Sequence, residues 1–70
     1  MQERITSLYV AVLKNEVVCF DTNLKHFHNK LQKIAKGCRN YDYFYRQFRN
    51  SRYFEYTDAE GTIFYMQSLL

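Results

Sequence analysis

Seventy residues allow one domain at most, and a core that small supplies only roughly 3–5 kcal/mol and leaves little room for a water-excluding catalytic cleft. With no Pro and two Gly there is neither linker nor low-complexity tract, and the longest apolar run, Ser7 to Leu13, is too short to span a bilayer and lacks a signal peptide's basic flank. Charge is segregated: Lys25, Lys30, Lys33, Lys36, Arg39, Arg46, Arg49 and Arg52 face the single acid Asp42 between Thr22 and Arg52, a local +7, while the flanks sum to −4 and the whole chain to +3.

In chain order, residues 7–13 and 16–20 are rich in strand formers, and Lys14-Asn15 between them fits a two-residue hairpin loop. Leu8, Val10 and Val12 would share one face and Tyr9, Ala11 and Leu13 the other. Both faces are apolar, which predicts burial on one side and a contact on the other. A first helix follows, capped by Asp21 or Thr22, with Leu24, Phe27, Leu31, Ile34 and Ala35 as its apolar stripe and Gly37 at its end. Lys25, His26, Asn29, Lys30 and Lys33 lie opposite that stripe. A second helix is predicted from Asn40, with Asp42 in the first turn and Tyr41, Phe44, Tyr45 and Phe48 as an aromatic core stripe. Its far side carries Tyr43, Arg46 and Asn50, flanked by Gln47 and Arg49, and Asp42 and Arg46 are spaced to pair. Residues 53–57 and 62–67 read as a second hairpin around Asp58 to Gly61, with Phe54, Tyr56, Phe64 and Met66 inward. The expected fold is a single α+β domain over residues 1–70, hairpin–helix–helix–hairpin (ββααββ) and winged-helix-like.

Seven Tyr and six Phe make 19% of the chain. At about 150–250 Å² each they fill a small core, and the surplus must sit on a surface or an interface. Cys19, His26, His28 and Cys38 are metal-ligand types, but His26 and His28 point about 200° apart on a helix, and no Cys-x-x-Cys or i, i+4 His pair is present. His28 borders the apolar stripe and reads as a hydrogen-bonded, partly buried residue. A Cys–His nucleophile could be drawn from Cys19 or Cys38 with either His, but no orienting acid or oxyanion loop accompanies them, and no phosphate-cradling Gly-rich loop occurs. No enzyme, cofactor, metal or membrane partner is expected, and the thiols are read as free.

Nucleic-acid binding has a mechanism in these residues. Two short helices followed by a hairpin have the order of a winged helix-turn-helix. The second helix would offer Tyr43, Arg46, Gln47, Arg49 and Asn50 to base edges, where Arg, Gln and Asn make bidentate contacts. Lys25, Lys30, Lys33, Lys36, Arg39 and Arg52 would hold phosphates, giving a salt-dependent affinity. DNA is favoured over RNA. The acidic hairpin tip, Asp58 to Glu60, fits a wing poorly and motivates an alternative in which Tyr9, Tyr43, Tyr53 and Tyr65, mixed with Arg, form a protein interface. A homodimer through the exposed side of a hairpin is compatible with either.

The succession LYVAVLKNEVVCFDTNLKHF, YDYFYRQF and YFEYTDAEGTIFYMQ resembles the small accessory proteins of phages and mobile elements, through its element order and the hairpin-to-capped-helix junction at Asp21-Thr22. The resemblance implies an intracellular, cytoplasmic, non-enzymatic protein that binds DNA or blocks a host protein, including CRISPR nucleases. Anti-CRISPR inhibitors are more often acidic DNA mimics, and the basic centre here departs from that habit. An inhibitor of this charge would grip an acidic protein surface or nucleic acid held by its target.

Overall fold

Positive φ at both Lys14 (52°) and Asn15 (68°) gives the first hairpin the left-handed two-residue turn whose twist matches its strands. In the computed structural model, which describes residues 7–69, this turn joins β1 (Leu8–Leu13) to β2 (Glu16–Asp21). They are followed by α1 (Leu24–Gln32), α2 (Tyr41–Asn50), β3 (Tyr53–Thr57) and β4 (Ile63–Leu69). Glu3 and Arg4, counted above among the flanking charges, lie outside the described residues. A bulge opposite Ala11 and Val12 lets Val18 and Cys19, neighbours in sequence, both pack against the core.

The two hairpins are not separate units. β1 pairs antiparallel with β4, Ala11 opposite Met66 and Val12 opposite Tyr65, so the strands form one four-stranded sheet in the order β2-β1-β4-β3. Both helices lie on one face of it. On that side α1 sets Phe27 against Tyr9, ring centroids 6.2 Å apart, and α2 sets Phe48 against Phe54 (4.9 Å) and Phe44 against Tyr56 (5.0 Å). Phe27, Leu31, Phe44, Phe64 and Met66 are fully buried between the layers. Among the described residues no helix lies over the opposite face of the sheet.

The first helix is shorter and differently ended than the sequence predicts. Asn23, not Asp21 or Thr22, caps α1: its side chain accepts from the amide of His26, while Asp21 accepts from the amide of Asn23. α1 stops at Gln32, and the chain then runs through successive turns to Gly37, so Ile34 is left 37% exposed instead of completing the stripe. Asn40 does cap α2, accepting from the amide of Tyr43, and Asp42 pairs with Arg46 at 2.8 Å. Of the expected aromatic stripe, Phe44 is buried and Phe48 half-buried. Tyr41 and Tyr45 are exposed, whereas Tyr43, placed on the far side by spacing, packs edge-on against Phe44 at 5.1 Å. Ten helical residues resting on a twisted sheet bury a narrow stripe, and the tyrosines keep their hydroxyls near water at its margin.

Gly37 holds the connection between the helices to the second hairpin. Its φ is +60°, and a Cβ there would lie 2.7 Å from the Cβ of Ala59. Gly61 also has a positive φ (+85°) but has open space around it. Gly37→Ala is therefore expected to cost more than Gly61→Ala. Both lose roughly 1–2 kcal/mol from the left-handed backbone, and only the former adds a clash with an atom fixed to the main chain. Thermal unfolding of the two variants checks the ranking. Equal losses would contradict the close approach.

Candidate functional site

The connection between the helices is where sequence and hydrogen bonding position the basic side chains. Asp58, expected at a solvated hairpin tip, is only 7% exposed and is turned inward. The amides of Glu60 and Thr62 donate to its Oδ1, both at 2.9 Å, and the amide of Lys36 donates to its Oδ2 at 3.1 Å. The amide of Ala59 returns a bond to the Lys36 carbonyl at 2.9 Å. Three residues further on, the Arg39 amide donates to the Tyr56 hydroxyl at 3.0 Å, and its carbonyl accepts from His28 Nε2 at 2.7 Å. Lys36 and Arg39 thus leave a main chain fixed by α1, β3 and the hairpin loop, while their own side chains reach solvent.

From Arg39 the basic surface continues along α2. The Arg39 guanidinium lies over the Tyr43 ring, 4.4 Å from its centroid, a cation–π contact that fixes where the charge stands. Arg39, Asn40, Asp42, Tyr43, Arg46 and Gln47 line one shallow depression of about 260 Å³. Arg46 also lines a second with Arg49 and Asn50, again about 260 Å³. Arg49 in turn reaches a cleft of about 250 Å³ between the helices, walled by Tyr9, Leu24, Tyr41, Tyr45 and Phe48. The three hollows share residues and form one track. The structure therefore brings Arg39, Tyr43, Arg46, Gln47, Arg49 and Asn50 together.

Other expected members stand apart. Lys30 is drawn to the β2 edge, where its Nζ lies 3.0 Å from Asp21, donates to the Phe20 carbonyl at 3.1 Å and sits over the Phe20 ring. Arg52 lines a separate hollow with Tyr53, Gln67, Ser68 and Leu69 at the end of the sheet. Lys25, Lys33 and Lys36 are exposed on and just beyond α1. Tyr41 and Tyr45, assigned to the core by spacing, belong to the track instead. The usable signal was the choice of Phe at the two inward positions and Tyr at the two marginal ones.

Burial pushes both Cys19 and Cys38 up from the ordinary thiol value, and the Cys19 Sγ–H points at the Phe27 carbonyl, 3.7 Å away. Among the described residues no group of three His, Cys, Asp or Glu side chains is placed to hold a metal ion, and no helix is long and apolar enough to cross a membrane.

The Asp58 clamp carries a pH signature. Burial pushes its carboxyl up, but the amides of Thr62, Lys36, Glu60 and Gly61 outweigh it and hold the group below its ordinary value. Its contribution to stability is thus complete above the unfolded carboxylate pKa of about 3.9 and is lost as the pH falls through the lower folded value. In Asp58→Asn an amide nitrogen replaces one carboxylate oxygen, so a backbone donor is left unmatched. That variant should be less stable at neutral pH and should lose less further stability on acidification, as read by urea midpoints across the acid range. An unchanged acid slope would remove the clamp. Comparison of the chain with protein-family models, with curated proteins and with solved structures gives no match.

Proposed function

We propose that this chain is a small non-enzymatic binding module whose α2 surface, together with Arg39, grips nucleic acid, DNA in preference to RNA. The observation that carries the reading is the continuous track of Arg39, Arg46, Arg49, Gln47 and Asn50 with one carboxylate in it, Asp42, already engaged by Arg46. An exposed i, i+4 pair of this kind is worth only about 0.2–0.5 kcal/mol, so a phosphate competes with Asp42 easily. Arg46 and Arg49 supply phosphate or guanine contacts, and Gln47 and Asn50 supply the donor–acceptor pairs that base edges require. Lys33 and Lys36 extend the positive field along the helix layer. In a winged-helix-like use of the fold, α2 is the reading element and the β3–β4 hairpin a support, since Asp58 faces inward and the tip offers no cation. The setting proposed is the cytoplasm, as for a phage or mobile-element regulator.

A second reading is favoured by a different observation, the exposed rings of Tyr41 and Tyr45 beside Arg49. Tyr with Arg is the composition of protein hot spots, and a phage-type inhibitor of a host defence protein, an anti-CRISPR included, would use the cleft between the helices as its anchor. Salt separates the two. Binding to mixed-sequence DNA should weaken steeply with added salt, and Arg46→Ala should lower the slope of log affinity against log salt by about 1. Asp42→Ala, which frees Arg46, should strengthen binding. Absence of retention on DNA at low salt would remove the first reading. Capture of a protein partner that tolerates salt and is lost in Tyr45→Ala would establish the second.

A further inference from the structure

We infer that the open face of the sheet, on the side away from the helices, is an interface for a second copy of this chain, two sheets packing face to face about a twofold axis. The inference is independent of what α2 binds. The register places two rows across the whole sheet on this side: Phe20, Val10, Gln67 and Tyr53, and beside it Val17, Val12, Tyr65 and Glu55. Leu8 with Leu69 and Ile63 with Thr57 lie at its two ends. Val17, Phe20, Tyr53, Ile63, Tyr65 and Leu69 are each between 36% and 58% exposed. Val10 is buried beneath these neighbours, and so many exposed apolar side chains on one sheet face of so short a chain mark an interaction surface.

Three observations select a second copy as the occupant. The two rows contain a single charge, Glu55 on the edge strand β3, and cations stand at the rim, Lys14 beside Ile63 and Tyr65 and Arg52 beside Tyr53 and Leu69, so one face carries both signs that a self-complementary contact needs. The basic residues of α2 and the connection lie on the helix side. Face-to-face packing, with sheets about 10 Å apart, sets the two basic layers on opposite outer sides, beyond the roughly 8 Å over which salt leaves charges interacting. The one side-chain amide on the face, that of Gln67, is both donor and acceptor, and a twofold operation lets two such amides satisfy each other.

Size agrees. Four strands about 4.8 Å apart and some 20 Å long present roughly 400 Å² in projection. The relief of large side chains raises the accessible area toward the ~800 Å² per partner of a stable interface. The chain also needs support: both cysteines are free, and among the described residues no metal cluster is present, so association is the remaining means of stapling a small core.

Sedimentation of the full chain from about 1 μM to about 1 mM tests this. The expected species is twice the 8.6 kDa chain, with a thermal midpoint that rises with concentration. Val17→Lys combined with Tyr65→Lys, both at exposed positions, should sediment as a folded monomer with a concentration-independent midpoint, and Arg46→Ala with Arg49→Ala should stay dimeric. Should the lysine variant not fold, dilution of the unsubstituted chain is the second readout. Its NMR shifts should change at Val17, Phe20, Tyr53, Ile63 and Tyr65 and not along α2. A wild-type monomer across the range, a dimer that survives both lysines, or dilution shifts confined to the helices would overturn the inference.

Discussion

The pairing of β1 with β4 is the constraint on which the other features rest. It joins residues at opposite ends of the described chain, Leu8 to Val12 against Tyr65 to Leu69, and turns two hairpins that would be marginal alone into one sheet. Only then do Tyr9, Ala11, Met66 and Phe64 form a continuous floor for both helices. The same pairing makes the opposite face continuous, because each row across the sheet passes through a β1 and a β4 residue. The two faces are thus one consequence of a single register. A slip of β4 by one residue against β1 would send Tyr65 to the helices and Met66 to the opposite face.

Division of the surface follows from that. On the helix side, aromatic packing consumes Phe27, Phe44 and Phe48, and what remains outward on α2 is Arg46, Arg49 and Asn50 with the tyrosines along the margin. The connection would be the loosest part of such a molecule. Instead it is held from three directions, by His28 of α1, by Tyr56 of β3 and by Asp58 at the hairpin turn. The binding surface proposed for Arg39 and α2 would start from a fixed main chain, with only side chains to be ordered on contact, which keeps the entropic cost low.

Much of this was legible in the residues. Lys14-Asn15 declared a tight hairpin, Asn40 a helix start, and the alternation in YFEYT and TIFYMQ the inward set of Phe54, Tyr56, Phe64 and Met66. The pairing between hairpins was not legible, because strand order is fixed by non-local contacts that alternation alone does not encode. Nor was the inward turn of Asp58: a carboxylate in a hairpin loop looks solvated until the backbone amides that surround it are in place. Spacing alone also overstated the core stripe of α2. Four aromatic positions fit a helical face, yet a ten-residue helix covers only the middle of its floor, and Tyr at positions 41 and 45 rather than Phe was the chemical hint. Lys30 was counted with the basic set because its link to Asp21 depends on how α1 folds back along β2, which spacing does not show.

The central claim is a division of labour between a cationic helix side and an apolar sheet side. Titration of the isotope-labelled chain with a short DNA duplex at low salt, followed by amide chemical shifts, tests it most directly. The account predicts perturbations gathered at Arg39, Tyr43, Arg46, Gln47, Arg49 and Asn50, with Val17, Phe20 and Tyr65 unmoved. Perturbations centred on the open sheet face, with α2 silent, would contradict it.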